Sequence, residues 1–169
     1  MGIAAAARGR HPFRMELEAP AGDLYGDHWS LTGKGVPDAD TPDAAVYLPG
    51  RNVLLLAKAM LWCHLNGVPA VALAVLASNP FPDATPAFFR GYQEAVNLAV
   101  DGRVQVLRPY DGMHKDEVIR RGQGLPLELT FSCNRPVDGL PCGGCNKCAE
   151  RKQAFAQAGI PDKTRYAGN

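Results

Sequence analysis

Long apolar runs are missing from this chain, and none of its 169 residues falls in a hydrophobic stretch of membrane-span length, which leads to an expectation of no membrane association. A strong charge of either sign is missing too. The 18 basic and 17 acidic residues leave a net charge of +1, which removes the electrostatic case for direct nucleic-acid binding across the whole chain. The stretch 134–166 carries six basic against three acidic residues, an excess small enough for an ordinary solvated face. The start, Met1 to Arg8, shows no basic region followed by a long apolar segment, so the expected address is the cytoplasm. His28, His64 and His114 share no metal-ligand spacing and are assigned nothing.

What remains is a chain with 46% hydrophobic residues, long enough to bury a real core, and five cysteines. Four of these, Cys133, Cys142, Cys145 and Cys148, fall in a Cys-x8-Cys-x2-Cys-x2-Cys pattern. Two-residue spacers let a tight turn aim successive sulfurs at one point, and Gly143 and Gly144 make that turn sterically easy. The pattern predicts a closed four-thiolate zinc site of structural type, because no coordination position remains for water or substrate. Iron would accept the same thiolates. The fifth cysteine, Cys63, lies in an apolar run and reads as a small core residue.

Along the chain, Ala4–Arg10 reads as the end of a helix and His11–Glu18 as a strand. Residues 19–45 are rich in Gly, Pro and Asp with little periodicity, a long excursion of the kind that serves as a lid or substrate loop. A buried helix is expected from Pro49-Gly50-Arg51-Asn52 to about Leu65, and a central strand over Ala70–Ala77. A helix over about Thr85–Ala99, a strand over Val104–Leu107 and a helix over Lys115–Arg121 follow. Strands alternating with helices predict a doubly wound α/β parallel sheet, whose ligands bind beyond the carboxyl ends of the strands, here in the loops after Ala77 and Leu107. Gly33-Lys34-Gly35 follows no apolar strand and does not meet the P-loop pattern.

Six segments then occur together: Tyr47-Leu48-Pro49-Gly50-Arg51-Asn52; Pro82-Asp83; Asn97-Leu98-Ala99; Pro109 with Lys115-Asp116-Glu117-Val118-Ile119; Leu129-Thr130-Phe131-Ser132-Cys133; and Cys142-Gly143-Gly144-Cys145-Asn146-Lys147-Cys148-Ala149-Glu150-Arg151. In order and spacing they resemble the 7-cyano-7-deazaguanine synthase family, from roughly His11 to Phe155. The resemblance implies an adenine-nucleotide α-hydrolase-like domain over residues 1–130 with a small zinc-binding tail, 131–169, packed on it. It implies a ligase that uses ATP, with Mg2+, and ammonia to turn the carboxylate of 7-carboxy-7-deazaguanine into a nitrile, on the path to queuosine and tRNA modification. It also implies a homodimer, or a partner that completes the sheet.

By position, the resemblance suggests Arg51, Asn52 and Lys115 as contacts to nucleotide phosphate or substrate carboxylate, and Asp83 as an acceptor for a guanine-like N–H edge. Each has a plainer reading: helix-start caps for Arg51 and Asn52, a turn or N-cap for Asp83, and a surface ion pair for Lys115. No catalytic residue is assigned. Two departures stand out. The family's Ser-Gly-Gly-x-Asp-Ser phosphate loop does not occur, so the chain reads as a member without its first strand, phosphate loop and most of the next helix. Where the family has Tyr-Pro-Asp-Cys-Arg, this chain has Phe81-Pro82-Asp83-Ala84-Thr85. The alternative is a non-catalytic, zinc-stabilised paralogue that binds a deazapurine, a nucleic acid or a protein.

Overall fold

The structure is a computed structural model that describes residues 3–5 and 13–167. In chain order its strands are β1 (Ile3–Ala5), β2 (Phe13–Met15), β3 (Ala70–Ala72) and β4 (Gln105–Leu107). Its helices are α1 (Gly22–Tyr25), α2 (Trp29–Thr32), α3 (Arg51–Leu65), α4 (Pro86–Val100), α5 (Lys115–Arg121) and α6 (Asn146–Ala158). The chain divides into two units, residues 1–20 with 48–112, and 21–47 with 113–169.

The first unit is built around α3. Leu56, Ala59, Met60 and Cys63 recur on one helical face and bury against Val71, Val75, Phe89 and Val104. Cys63 is thereby the core residue expected, 2% exposed. β3 and β4 pair in parallel, Ala70 with Gln105 through Ala72 with Leu107, and α4 carries the chain between them, the βαβ unit that alternating strand and helix patterns imply. Asn97 fixes the return from α4: its side chain donates to the Val104 carbonyl at 3.0 Å and accepts from the Val104 N–H at 2.9 Å. Gly102 is required there, since a Cβ would meet Val100, His64 and Asn97 at 2.9, 3.0 and 3.2 Å.

Ala4 and Ala5 belong to β1, which pairs antiparallel with β2, and not to a helix end; residues 6–12 lie outside the described residues. The short cross-strand register, Ile3 with Met15, satisfies these backbone groups in place of an i to i−4 ladder. The expected strand 70–77 shortens to Ala70–Ala72, although the Leu73 N–H still donates to the Leu107 carbonyl at 2.9 Å.

In the second unit, Ile119 of α5 packs on Ala154 and Phe155 of α6, with Leu127 and Ile160 alongside. The excursion of residues 19–45 forms α1, α2 and a 3-10 turn, Asp43–Val46, tied by the Trp29 indole N–H to the Ala45 carbonyl at 3.0 Å. Its Val36 packs against the cysteine cluster, and the Pro37 and Thr41 carbonyls accept from the Asn146 backbone and side-chain N–H groups at 3.1 and 2.9 Å. This part of the excursion walls in the cysteines.

Candidate functional site

The four cysteines predicted as ligands come together in the second unit. Their sulfurs all lie within 4.8 Å of one another: Cys145 to Cys148 is 3.6 Å, Cys133 to Cys145 is 3.9 Å and Cys142 to Cys148 is 4.0 Å. A zinc tetrahedron with arms of about 2.3 Å has edges of about 3.8 Å, so the donors sit at the corners of such a site. None is in a disulfide.

Local sequence explains the arrangement. Val137 and Leu140 exchange both backbone hydrogen bonds at 2.9 Å around Asp138-Gly139, whose φ angles of 47° and 78° are both positive, as a type I′ hairpin requires. That hairpin turns the eight-residue spacer back on itself and faces Cys133 toward Cys142. Asp-Gly is a strong hairpin signal, and sequence reading passed over it. Gly143, at φ 80°, lets the Gly144 N–H reach the Cys142 sulfur at 3.4 Å. The Cys133 sulfur accepts N–H groups of Arg135 and Cys142 at 3.3 and 3.2 Å, and that of Cys145 accepts Asn134 at 3.4 Å. Such donors stabilise thiolates.

The cluster holds its charges unevenly. Burial pushes the Cys142 thiol up, but the Gly144 and Cys145 N–H groups and the Cys133 and Cys145 thiols outweigh it and hold it at about 6. Burial pushes Cys148 up to about 12, with the Cys145 and Cys133 sulfurs adding to the effect and only the Gly143 backbone opposing it. Cys133 is also raised, chiefly by burial. Four sulfurs this close cannot all ionise without a cation between them, and a divalent metal such as zinc suits the donor set.

The carboxyl-terminal segment covers this centre. Tyr166 is buried against Cys145 and Cys148, its hydroxyl donates to Asp162 at 2.6 Å, and the Ala167 N–H donates to the Pro141 carbonyl at 2.9 Å. Burial raises the Asp162 carboxyl, but hydrogen bonds from Thr164 and Tyr166, with Arg151 nearby, pull it below the ordinary range. A depressed folded-state pKa stabilises the fold above the unfolded value of about 4 and is lost as pH falls through the folded one. Acid melts are expected to show D162N and the parent converging below about pH 4, with the parent more stable above it.

The remaining sequence candidates fall in both units. In the first, the Asn52 backbone N–H donates to the Asp83 carboxylate at 3.0 Å and its side-chain N–H to the Asp83 carbonyl at 2.8 Å, both residues being buried. Asp83 sits in a 3-10 turn, Pro82–Ala84, past the carboxyl end of β3, and Thr85 rather than Asp83 caps α4, accepting from the Phe88 N–H at 3.2 Å. Asn52 therefore holds Asp83 in place, and Arg51 is exposed at the first position of α3. In the second unit, Lys115 starts α5 and pairs with Glu150 of α6 at 2.7 Å. Lys147 takes the other Glu150 oxygen at 2.5 Å. Glu150 is raised by burial but held low overall by these two lysines.

A family model described as queuosine biosynthesis protein QueC matches residues 25–159. The chain belongs to this family. Among QueC relatives, the 7-cyano-7-deazaguanine synthase of Syntrophobacter fumaroxidans is 37% identical over 90% of this chain and 72% of its own length. Those of Anaeromyxobacter sp. (strain Fw109-5) and Cellvibrio japonicus are each 34% identical, over 90% and 91% of this chain and 70% and 72% of theirs. The QueC match includes every segment named above from Arg51 to Cys148 and spans parts of both units. No described helix is long and apolar enough to cross a membrane.

Proposed function

We propose that this protein is a 7-cyano-7-deazaguanine synthase of queuosine biosynthesis, acting in the cytoplasm on a doubly wound α/β fold with a structural zinc in its carboxyl-terminal segment. The family match across residues 25–159 carries the reading. The substrate is 7-carboxy-7-deazaguanine. Its carboxylate is a poor electrophile, so ATP, with Mg2+, converts it to an acyl adenylate and releases pyrophosphate. Ammonia displaces AMP to give the amide, and a second adenylation removes the amide oxygen with AMP, leaving the nitrile. Within this scheme Asp83, held by Asn52 past the end of β3, accepts the N–H edge of the guanine-like ring. Arg51, exposed at the start of α3 in the same unit, faces anionic oxygens.

The parallel sheet supports a further strand. The Val106 N–H on the outer side of β4 is taken by the Gln93 side chain at 2.6 Å, which leaves β3 as the side on which pairing extends. Two strands of three residues are marginal alone, so a second copy or another partner completing the sheet fits.

The test is ATP-dependent turnover of 7-carboxy-7-deazaguanine with ammonium, read by mass spectrometry of the nitrile. It is run on the zinc-loaded chain alone and on the chain joined to a strand and Ser-Gly-Gly-x-Asp-Ser segment, which its own sequence lacks. Product in either case supports the synthase. Asp83→Asn is then expected to lower kcat/KM by about 10 to 100-fold, the loss of one charged hydrogen bond. No product in both would leave the non-catalytic paralogue as the better reading.

A further inference from the structure

Arg108 is the first residue past the parallel ladder, immediately after β4, at the edge where ligands of open α/β sheets bind. Its guanidinium lies 5.2 Å over the ring of Phe89, one turn into the helix that begins just after Asp83. The side chain is 18% exposed, and its partner is Asp111, 44% exposed, with Nη1 and Oδ2 3.0 Å apart. The contact is one of charge only. Among the described residues Nη1 is buried without a hydrogen-bond partner, so its own N–H groups are not directed at the carboxylate despite the short distance.

A buried donor left unpaired is costly, and an ion pair whose buried nitrogen directs no N–H at the carboxylate is in a poor arrangement for a purely structural contact. Asp111 lies in a short turn, its N–H donating to the Arg108 carbonyl at 3.3 Å, between half-buried Tyr110 and exposed Gly112. It can leave Arg108 without disturbing the core of Leu56, Met60 and Phe89. Stacking on Phe89 would keep the guanidinium in place meanwhile.

We propose that Arg108 is the anion-binding residue at the carboxyl edge of this sheet and that Asp111 is its internal placeholder, displaced when a carboxylate or phosphate group of the ligand binds. The proposal deepens the synthase reading and rests on it for the identity of the ligand. It assigns the charged group of the substrate to Arg108 and the ring edge to Asp83.

Binding to the full zinc-loaded chain is measured by calorimetry for 7-carboxy-7-deazaguanine, for its uncharged 7-cyano counterpart and for pyrophosphate, in wild type, R108Q and D111N. R108Q is expected to weaken the carboxylate ligand or pyrophosphate by about 10 to 100-fold and leave the nitrile unchanged. D111N, on an exposed turn, is expected to tighten the same anion by about threefold, which loss of a merely structural ion pair does not do. If the carboxylate responds and pyrophosphate does not, the anion is the substrate carboxylate; the reverse makes it a nucleotide phosphate. Arg108-dependent pyrophosphate binding with neither deazapurine bound would sink the synthase reading and keep the anion site. Binding of both the deazapurine carboxylate and pyrophosphate that is indifferent to both variants would sink the anion site and keep the synthase reading. No binding by any probe overturns both.

Discussion

Replacing Cys148 with Ser is expected to reduce bound zinc from about one equivalent per chain to a small fraction of that, and to unfold the segment from Cys133 through Tyr166. Cys148 is 1% exposed and sits in the first turn of α6, with its sulfur 3.6 Å from Cys145 and 4.0 Å from Cys142. Serine offers a hydroxyl that stays protonated near neutral pH and binds zinc poorly, so three thiolates remain close together without the charge that holds them. The loss propagates because α6 also supplies Ala154 and Phe155 to the core with Ile119, and Tyr166 is packed directly on the sulfurs. A destabilisation of about 3 kcal/mol or more, roughly 10 °C in the melt, is expected. Cys63→Ser is the control: buried in the other unit, it is expected to cost about 1 kcal/mol and leave metal content unchanged. Full zinc occupancy in the Cys148 variant would overturn the metal assignment.

How much of this was legible in the sequence differs between elements for physical reasons. α3 and α5 occupy the residues expected, because a run of apolar residues bounded by Gly50 and Asn66-Gly67, and a short segment with acidic residues first and arginines last, carry their own start and stop signals. The cysteine cluster was legible because metal-ligand spacing is local. What periodicity could not show was tertiary placement. Nothing in the residues 19–45 says that Val36 and Pro37 close over sulfurs more than a hundred positions away, nor that Glu150 would meet Lys115. The helix α6 went unread because its sequence is mostly polar, and its stability comes from Phe155, Ala154 and Arg151 packing inward rather than from a clear apolar stripe. Asn52 is a candidate ligand contact by its position beside Arg51 in a matched segment. Both of its donors turn inward to Asp83, which only the fold reveals.

Arg151→Ala is expected to be the most damaging change outside the metal ligands. Arg151 is 4% exposed, and its three side-chain nitrogens are spent on two separate segments of chain: Nε donates to Thr164 at 3.0 Å, while Nη1 donates to Thr130 at 2.7 Å and Nη2 to the Leu127 carbonyl at 2.8 Å. Its guanidinium lies 4.7 Å over the Phe155 ring and 3.5 Å from the Asp162 carboxylate. Alanine removes the planar fork, opens a cavity beside Phe155 and leaves Asp162 without its cation, a combination expected to cost about 3 to 5 kcal/mol in a denaturant melt. Arg151→Lys keeps the charge but offers a point where the site needs a fork, so it is expected to recover less than half of that loss. Combining Arg151→Ala with D162N is expected to cost clearly less than the sum of the two, because the second change removes a carboxylate that the first has already orphaned. The same geometry ties Arg151 to the cysteine cluster. Thr130 lies three residues before Cys133, and Thr164 two before Tyr166, so loosening Arg151 frees both the segment that delivers one sulfur and the segment that covers two others. Zinc transfer to a chromogenic chelator is therefore expected to accelerate in Arg151→Ala at temperatures well below its melt; an unchanged rate with an unchanged melt would show that the metal centre holds itself together without this arginine.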